Sequence, residues 1–236
     1  APVSMSNAPR YREWLKAISR KFDVDLVMGY IDHTFTDRGW VSYNSAGLFD
    51  NEGRHTAQYN KVNLLPFGER IPFSQYITAL GRLNFGQANF EAGRLQPLFH
   101  SRAGRFGVLI CFESAFSFYS RQYVLEGARF LVNITNDGWF GSRRGPIQHA
   151  ELAILRAVEN RVTLLRSANT GISMIVDPVG RVCRRIDLDK EGIILGQIHP
   201  AGKLSFYCRH GHMTFFIMAL ISLAVVPLLS ILPHRS

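Results

Sequence analysis

The sequence predicts an α/β fold followed by a carboxy-terminal membrane-spanning helix. Three observations predict it. Short apolar runs bounded by turn residues, Phe106 to Ile110 and Phe130 to Ile134, read as strands covered on both faces. Segments of helical periodicity, 10–22 and 148–161, alternate with such strands. From Met213 to Leu232 twenty residues pass without a charged side chain. At about 1.5 Å per residue that length crosses a hydrocarbon core of about 30 Å. With 236 residues and 47% hydrophobic content the chain is long enough for one large domain. It divides into a globular part, 1–205, and a terminal helix with its flanks, 206–236.

Taken in order, residues 1–9 are small and proline-containing, show no signal-peptide pattern and read as a loop. Tyr11, Trp14, Leu15, Ile18 and Phe22 recur at helical spacing, so 10–22 is an amphipathic helix. Leu26 to Tyr30 and Asn44 to Phe49 read as strands. The second is followed by the turn Asp50-Asn-Glu-Gly53 and a return strand that ends at Lys61. Residues 73–90 are apolar-rich and show no clear period. After Ile110 the chain turns polar at once with Glu113 and Ser114. Cys111 therefore sits at the carboxyl end of a core strand, where α/β folds present nucleophiles and where a buried structural thiol would also fit. The second apolar strand ends in Asn136-Asp-Gly138, strong turn chemistry.

In the next helix, Leu152, Leu155 and Val158 keep helical spacing, and Ala150, Ala153 and Ala157 suit close packing. Thr163 to Ser167, Ile172 to Val176 and Gly180 to Ile186 read as hairpin-like strands, and Ile193 to Ile198 as the last strand. Pro227 is tolerable in the terminal helix because neighbouring helices or water re-satisfy the freed carbonyl.

The formal charge is +9, yet no block of like charge exceeds two or three residues, which argues against a nucleic-acid arm. Arg143-Arg144 and Arg184-Arg185 suit a basic surface near an anionic bilayer, or ordinary solvated arginines. Three cysteines, Cys111, Cys183 and Cys208, show no zinc or CxxC spacing. An odd count leaves one thiol free, which suits a nucleophile at Cys111. Cys183 and Cys208 are expected as structural thiols, with pairing open in an oxidising compartment. No cofactor is expected: there is no metal cluster, phosphate loop or dinucleotide fingerprint, and Gly104-Arg-Phe-Gly107 precedes a strand and reads as a turn.

Two segments bear on Cys111. Lys61 and Glu69 flank an apolar stretch that Pro66 and Gly68 break into a turn. Asn136 to Gly141 closes the neighbouring strand. The motifs Tyr59-Asn-Lys61, Pro66-Phe-Gly-Glu69-Arg-Ile-Pro72, Cys111-Phe-Glu113, Asn136-Asp-Gly-Trp-Phe-Gly141, Gln148-His149 and Arg166-Ser-Ala-Asn-Thr-Gly171 together resemble the nitrilase superfamily of carbon–nitrogen hydrolases. Within it they are most similar to the apolipoprotein N-acyltransferase family, over nearly the whole chain.

The resemblance implies an α-β-β-α sandwich and a Glu–Lys–Cys triad. Cys111 would be the nucleophile, Lys61 the oxyanion stabiliser and Glu69 a further essential acid, with Glu113, Phe112, Asn136 and Trp139 in support. It implies a bacterial inner-membrane enzyme whose globular domain faces the periplasm, with a phospholipid acyl donor and a diacylglyceryl lipoprotein acceptor. Residues 73–90 would be a mobile arm whose aromatics, Phe73, Tyr76, Phe85 and Phe90, touch lipid or pack in the core.

Elementary chemistry agrees with these roles. A cysteine nucleophile works as thiolate and needs a base or a positive neighbour. Lys61 supplies that charge and is suited to stabilising a tetrahedral oxyanion. The Phe112 N–H is a candidate second donor, Glu69 would orient Lys61 or shuttle a proton, and Glu113 would hold the turn or the lysine.

Two departures stand out. The family's general base is a glutamate in a Pro-Glu motif before the first helix, and Ala1-Pro-Val-Ser resembles the residues just after that motif. Neither Glu13 nor Glu52 matches it. The expectation is a fragment lacking its base and amino-terminal membrane helices, with little turnover alone. Phe112 also stands where the family often has tyrosine. His33 and His149 have no supporting motif and are expected as structural residues. A membrane-tethered amidase or nitrilase is the alternative enzyme, separable by acceptor preference. A non-catalytic binding module is the alternative outside enzymes, and the intact Cys111, Lys61 and Glu69 count against it.

Overall fold

The computed structural model of the chain describes residues 9–37, 39–72, 89–94, 98–198, 202–211 and 213–231, with the side chains of 214 and 226–231 set aside. Phe73, Tyr76 and Phe85 of the expected arm lie outside the described residues. Phe90 is buried, so it belongs to the core rather than to a lipid-facing surface.

The side-chain pattern gives four layers. Helix α1, Pro9–Phe22, turns Leu15 inward onto Tyr30 and Phe49. Those two belong to an antiparallel sheet of β1, Leu26–Thr36, β2, Gly39–Phe49, and β3, His55–Asn60. The opposite face of this sheet, through Ala46, Leu48 and Tyr59, meets a second sheet. Its order is β4, Phe99–Ser101, β5, Gly104–Ile110, β6, Phe130–Thr135, β7, Thr163–Ala168, β8, Ser173–Val176, and β9, Val182–Ile186. Strands β5, β6 and β7 run parallel, and the outer pairs are antiparallel.

The two-residue period of a strand divides this second sheet's side chains. Phe106, Val108, Ile110, Phe130 and Val132 point between the sheets. Leu109, Leu131 and Leu164 point to the outer helices, α2, Ser117–Leu125, and α3, Arg144–Asn160. Helix α3 buries Pro146, His149, Ala150, Ala153, Ala157 and Asn160, one stripe at helical spacing. Helix α2 crosses β5 so closely that a Cβ at Gly107 would lie 2.3 Å from the Tyr123 ring. A glycine is required there. The α-β-β-α sandwich expected from the resemblance is the fold observed.

Several elements differ from expectation. Ile193 to Ile198 forms no strand; Ile193 and Leu195 stand exposed with no ladder partner among the described residues. An apolar alternation without a neighbour to accept its hydrogen bonds does not make a strand. Strand β4, helix α2 and a short helix α4, Phe206–His210, were not anticipated. Helix α2 carries serines and an arginine among its aromatics, so its periodicity is weak in the sequence.

The terminal apolar segment forms a helix, α5, Met213–Ile231, with uncharged and mostly exposed side chains. Among the described residues no helix is long and apolar enough to cross a membrane. The segment expected to span the membrane is thus observed as a helix. All three cysteines are free, Cys183 exposed on β9 and Cys208 buried against the outer helices.

Candidate active site

Parallel strands β5 and β6 end side by side, and the crevice beyond their carboxyl ends is where open α/β sheets place chemistry. Cys111 is the first residue past β5. Its φ is +52°, left-handed for a residue with a Cβ. That conformation costs of order 1–3 kcal/mol and persists only where the surroundings enforce it. The chain then makes one tight turn, Cys111–Ala115.

Glu113 ties this turn to the loop bearing Lys61. One carboxylate oxygen accepts from the Tyr59 hydroxyl at 2.7 Å and from the N–H groups of Val62 at 2.9 Å and Asn63 at 3.1 Å. The other accepts from the Ile110 N–H at 2.8 Å. Residues 62–63 and 110 thus converge on one buried side chain. Burial pushes the Glu113 carboxyl above the usual carboxylate range, against these donors and the Lys61 charge. Burial, then the Glu113 charge, pushes the Tyr59 phenol far up, so it stays protonated and donates to Glu113.

Lys61 follows β3 and is held through its backbone: its N–H donates to the Asn44 carbonyl, and its carbonyl accepts from Gly93. Its side chain is only 1% exposed, and Nζ lies 2.5 Å from Glu69 Oε2. Glu69 also accepts from the Leu65 N–H and, on its other oxygen, from the Asn44 amide, both at 2.8 Å. The turn predicted from Pro66 and Gly68 is what brings Glu69 back onto Lys61; its N–H donates to the Leu65 carbonyl at 2.9 Å.

On the far side of Cys111 lies a second charged cluster. Asp137 accepts from Arg166 Nη2 at 2.8 Å on one oxygen. Its other oxygen faces His149 Nδ1 at 2.9 Å and the Thr135 hydroxyl at 2.8 Å. Arg166 also donates to the Asn133 side chain and to the Ile172 carbonyl. Burial raises the Asp137 carboxyl, but the His149 hydrogen bond and the charges of Arg166 and His149 outweigh it and hold it below the usual range. Burial lowers the Arg166 guanidinium, opposed by Asp137 and by Cys111. Gly171, at φ +111°, lets the backbone pass Asp137; a Cβ there would sit 2.3 Å from its carboxylate.

Cys111, Lys61, Glu69 and Glu113 are therefore brought to one end of the sandwich, linked as described. Phe112 lies beside His149 and Phe116, with ring centres 5.7 Å from each. Asn136 accepts from the Gly138 N–H and the Thr170 hydroxyl, which makes it a turn-former. Trp139 projects from that turn, 74% exposed. Asp137 and Arg166 fall inside motifs that carry the family resemblance, yet no role was expected of them, and Ser114 was noted only where the chain turns polar. Asn133 was not singled out; its signal was an amide inside an otherwise apolar strand, β6. Among the described residues no group of three or more histidine, cysteine or acidic side chains is placed to hold a metal ion.

The profile of the carbon–nitrogen hydrolase family matches residues 8–202. The chain belongs to the carbon–nitrogen hydrolase family. Among curated proteins it is 36% identical over 211 residues to an apolipoprotein N-acyltransferase of Geobacter metallireducens, covering 89% of this chain and 40% of that one. It is 37% identical over 190 residues to another of that name from Bradyrhizobium diazoefficiens, covering 78% of this chain and 34% of the relative. The chain thus spans well under half the length of these relatives. Among solved structures, the NitFhit protein of C. elegans superposes with a TM-score of 0.62 at 25% identity, covering 78% of this chain and 44% of that one. A carbon–nitrogen hydrolase from Helicobacter pylori gives 0.60 at 16% identity, covering 77% and 64%. This second likeness speaks to the fold alone.

Proposed function

We propose that this chain carries the cysteine site of a membrane-bound N-acyltransferase. It would move a fatty acyl chain from a phospholipid to the N-terminal amine of a diacylglyceryl-cysteine lipoprotein. The observation that carries the reading is the left-handed Cys111, joined through the Glu113 carboxylate to the loop that buries Lys61 against Glu69. Similarity to relatives named apolipoprotein N-acyltransferases supports acyl transfer, and the apolar helix α5 supports a site beside lipid.

The Cys111 thiolate attacks the ester carbonyl, and the Lys61 ammonium stabilises the oxyanion that forms. The C–O bond breaks, the lysophospholipid oxygen takes up the proton that the Cys111 thiol lost on ionising, and the acyl chain stays on sulfur as a thioester. The lipoprotein amine attacks that thioester, the C–S bond breaks, and the amine's released proton passes to a carboxylate. Glu69, on Lys61, is the carboxylate placed to handle such a proton. Helix α5 would anchor the domain on the periplasmic side of the inner membrane.

Intact-protein mass spectrometry tests this, after incubation with phospholipid in detergent and with the chain extended to the length of its relatives. A fatty-acyl adduct, absent in Cys111→Ala and discharged by an amine acceptor, is expected. An adduct formed instead from small amides and discharged by water would identify a hydrolase. No adduct at all would leave a binding module.

A further inference from the structure

The carbonyl of Cys111 is an unusually crowded acceptor. His149 Nε2 lies 3.1 Å from it, the Ser114 hydroxyl donates to it at 3.1 Å, and the Asn133 amide at 3.3 Å. Ser114 and His149 also lie 3.2 Å from each other. All three side chains are buried. A residue with a Cβ does not hold φ near +52° unaided. Cys111 is fixed on its N-terminal side by the Ile110 N–H on Glu113, and on its C-terminal side by this cluster of groups on its carbonyl.

The histidine is itself aimed. An ionised Asp137 only accepts, so the His149 Nδ1 facing it carries a proton, and the Nε2 that donates to the Cys111 carbonyl carries one as well, so the clamp is an imidazolium held between two acceptors. Arg166 and Thr135 hold Asp137 in turn. Phe112 and Phe140 flank the ring, with centres 5.7 and 5.6 Å away. A ring so placed cannot reach outward as a base, and its other nitrogen points at a peptide.

Resting on the reading of Cys111 as the nucleophile, we propose that His149, oriented by Asp137 and Arg166, is a positioning residue. It clamps the Cys111 peptide in its left-handed conformation and so sets where the sulfur points. It takes no part in the proton transfers. Helix α3, the turn after strand β6 and strand β7 each supply one member, so the outer helical layer is coupled to the nucleophile.

The test compares His149→Phe, which keeps a flat ring and loses the donor, with His149→Gln, whose amide reaches the same carbonyl. Iodoacetamide alkylation of Cys111 is followed on the full chain by peptide-resolved mass spectrometry, with exposed Cys183 as the internal reference and thermal unfolding as the control. His149→Phe is expected to slow Cys111 about tenfold relative to Cys183, the scale of one lost hydrogen bond. His149→Gln is expected to restore the rate to within about threefold. Should the phenylalanine variant not fold, Ser114→Ala, which removes another donor to the same carbonyl, is expected to slow Cys111 about fivefold.

An unchanged Cys111 rate in His149→Phe or Ser114→Ala, or a glutamine variant as slow as phenylalanine, overturns the clamp. Alkylation needs no lipid, so a reactive, clamped Cys111 that never accepts an acyl chain would overturn the transferase reading alone. A wild-type Cys111 slower than Cys183 would overturn both.

Discussion

Two buried cation–carboxylate clusters flank Cys111, and they are built differently. Lys61 and Glu69 sit on a loop and a turn, and Glu69 keeps 13% exposure. Among the described residues Lys61 Nζ has one hydrogen-bonding partner, so two of its three protons are free to meet a substrate. Arg166 and Asp137 are wholly buried, and every nitrogen of the guanidinium has an acceptor. An open cluster with donors to spare can stabilise charge that develops during a reaction. A closed one spends its hydrogen bonds on holding its neighbours. Stability should therefore depend most on the closed cluster and rate most on the open one.

The largest stability effect is expected from Asp137→Ala, which leaves Arg166 buried and unpaired. Breaking such a pair costs about 3–5 kcal/mol, and thermal unfolding should show the midpoint falling by roughly 10 °C. Lys61→Met should act in the opposite sense. Thioester formation, followed by mass, is expected to drop about 10²–10³-fold, while the melting midpoint moves far less than in Asp137→Ala. If the two variants lose rate and stability in equal proportion, the contrast between the clusters fails.

Glu113→Gln should fall between them. A glutamine keeps one oxygen for the Val62 and Asn63 N–H groups and turns its NH2 at the Ile110 N–H, which leaves that buried donor unpaired, at about 1–3 kcal/mol by urea unfolding. Acid sharpens the contrast further. The Asp137 carboxyl lies below its unfolded value of about 3.9, so its contribution is complete above that pH and is lost as pH falls through its folded value. A midpoint-against-pH curve should be steeper below about pH 4 for the wild type than for Asp137→Asn. The smallest effect belongs to Asn136→Ala, which removes a turn cap worth about 1 kcal/mol; a shift in the denaturation midpoint beyond that would give Asn136 a larger part than capping.

Much of this site was legible in sequence because its parts are local. Pro66 and Gly68 demand a turn, and a turn of that length returns Glu69 to Lys61. Cys111 lies at the end of an apolar run, and a strand end is a strand end in any sheet. Glu113 was expected to hold the turn or the lysine, but not to join the two. Its acceptors-only carboxylate collects donors from β3's exit and from β5, which are about fifty residues apart in sequence. The closed cluster was missed because Asp137, His149 and Arg166 stand in three separate motifs with nothing local to join them; only the parallel register of β6 and β7 and the buried stripe of α3 bring them together. The strand expected at Ile193 to Ile198 failed for the converse reason, since its pattern was right and it has no ladder partner among the described residues.

By itself the sequence determined the alternation of strands and helices, the strand that carries the thiol, and the lysine–glutamate turn beside it, while the four layers were implied by the family resemblance. Periodicity and turn chemistry act over a few residues and do not depend on what lies across the fold. Tertiary structure alone decided the left-handed conformation of Cys111 and the charge network behind it. Both depend on donors and acceptors contributed by separate elements. A buried charge or a strained peptide is tolerated only where the whole fold supplies its partners.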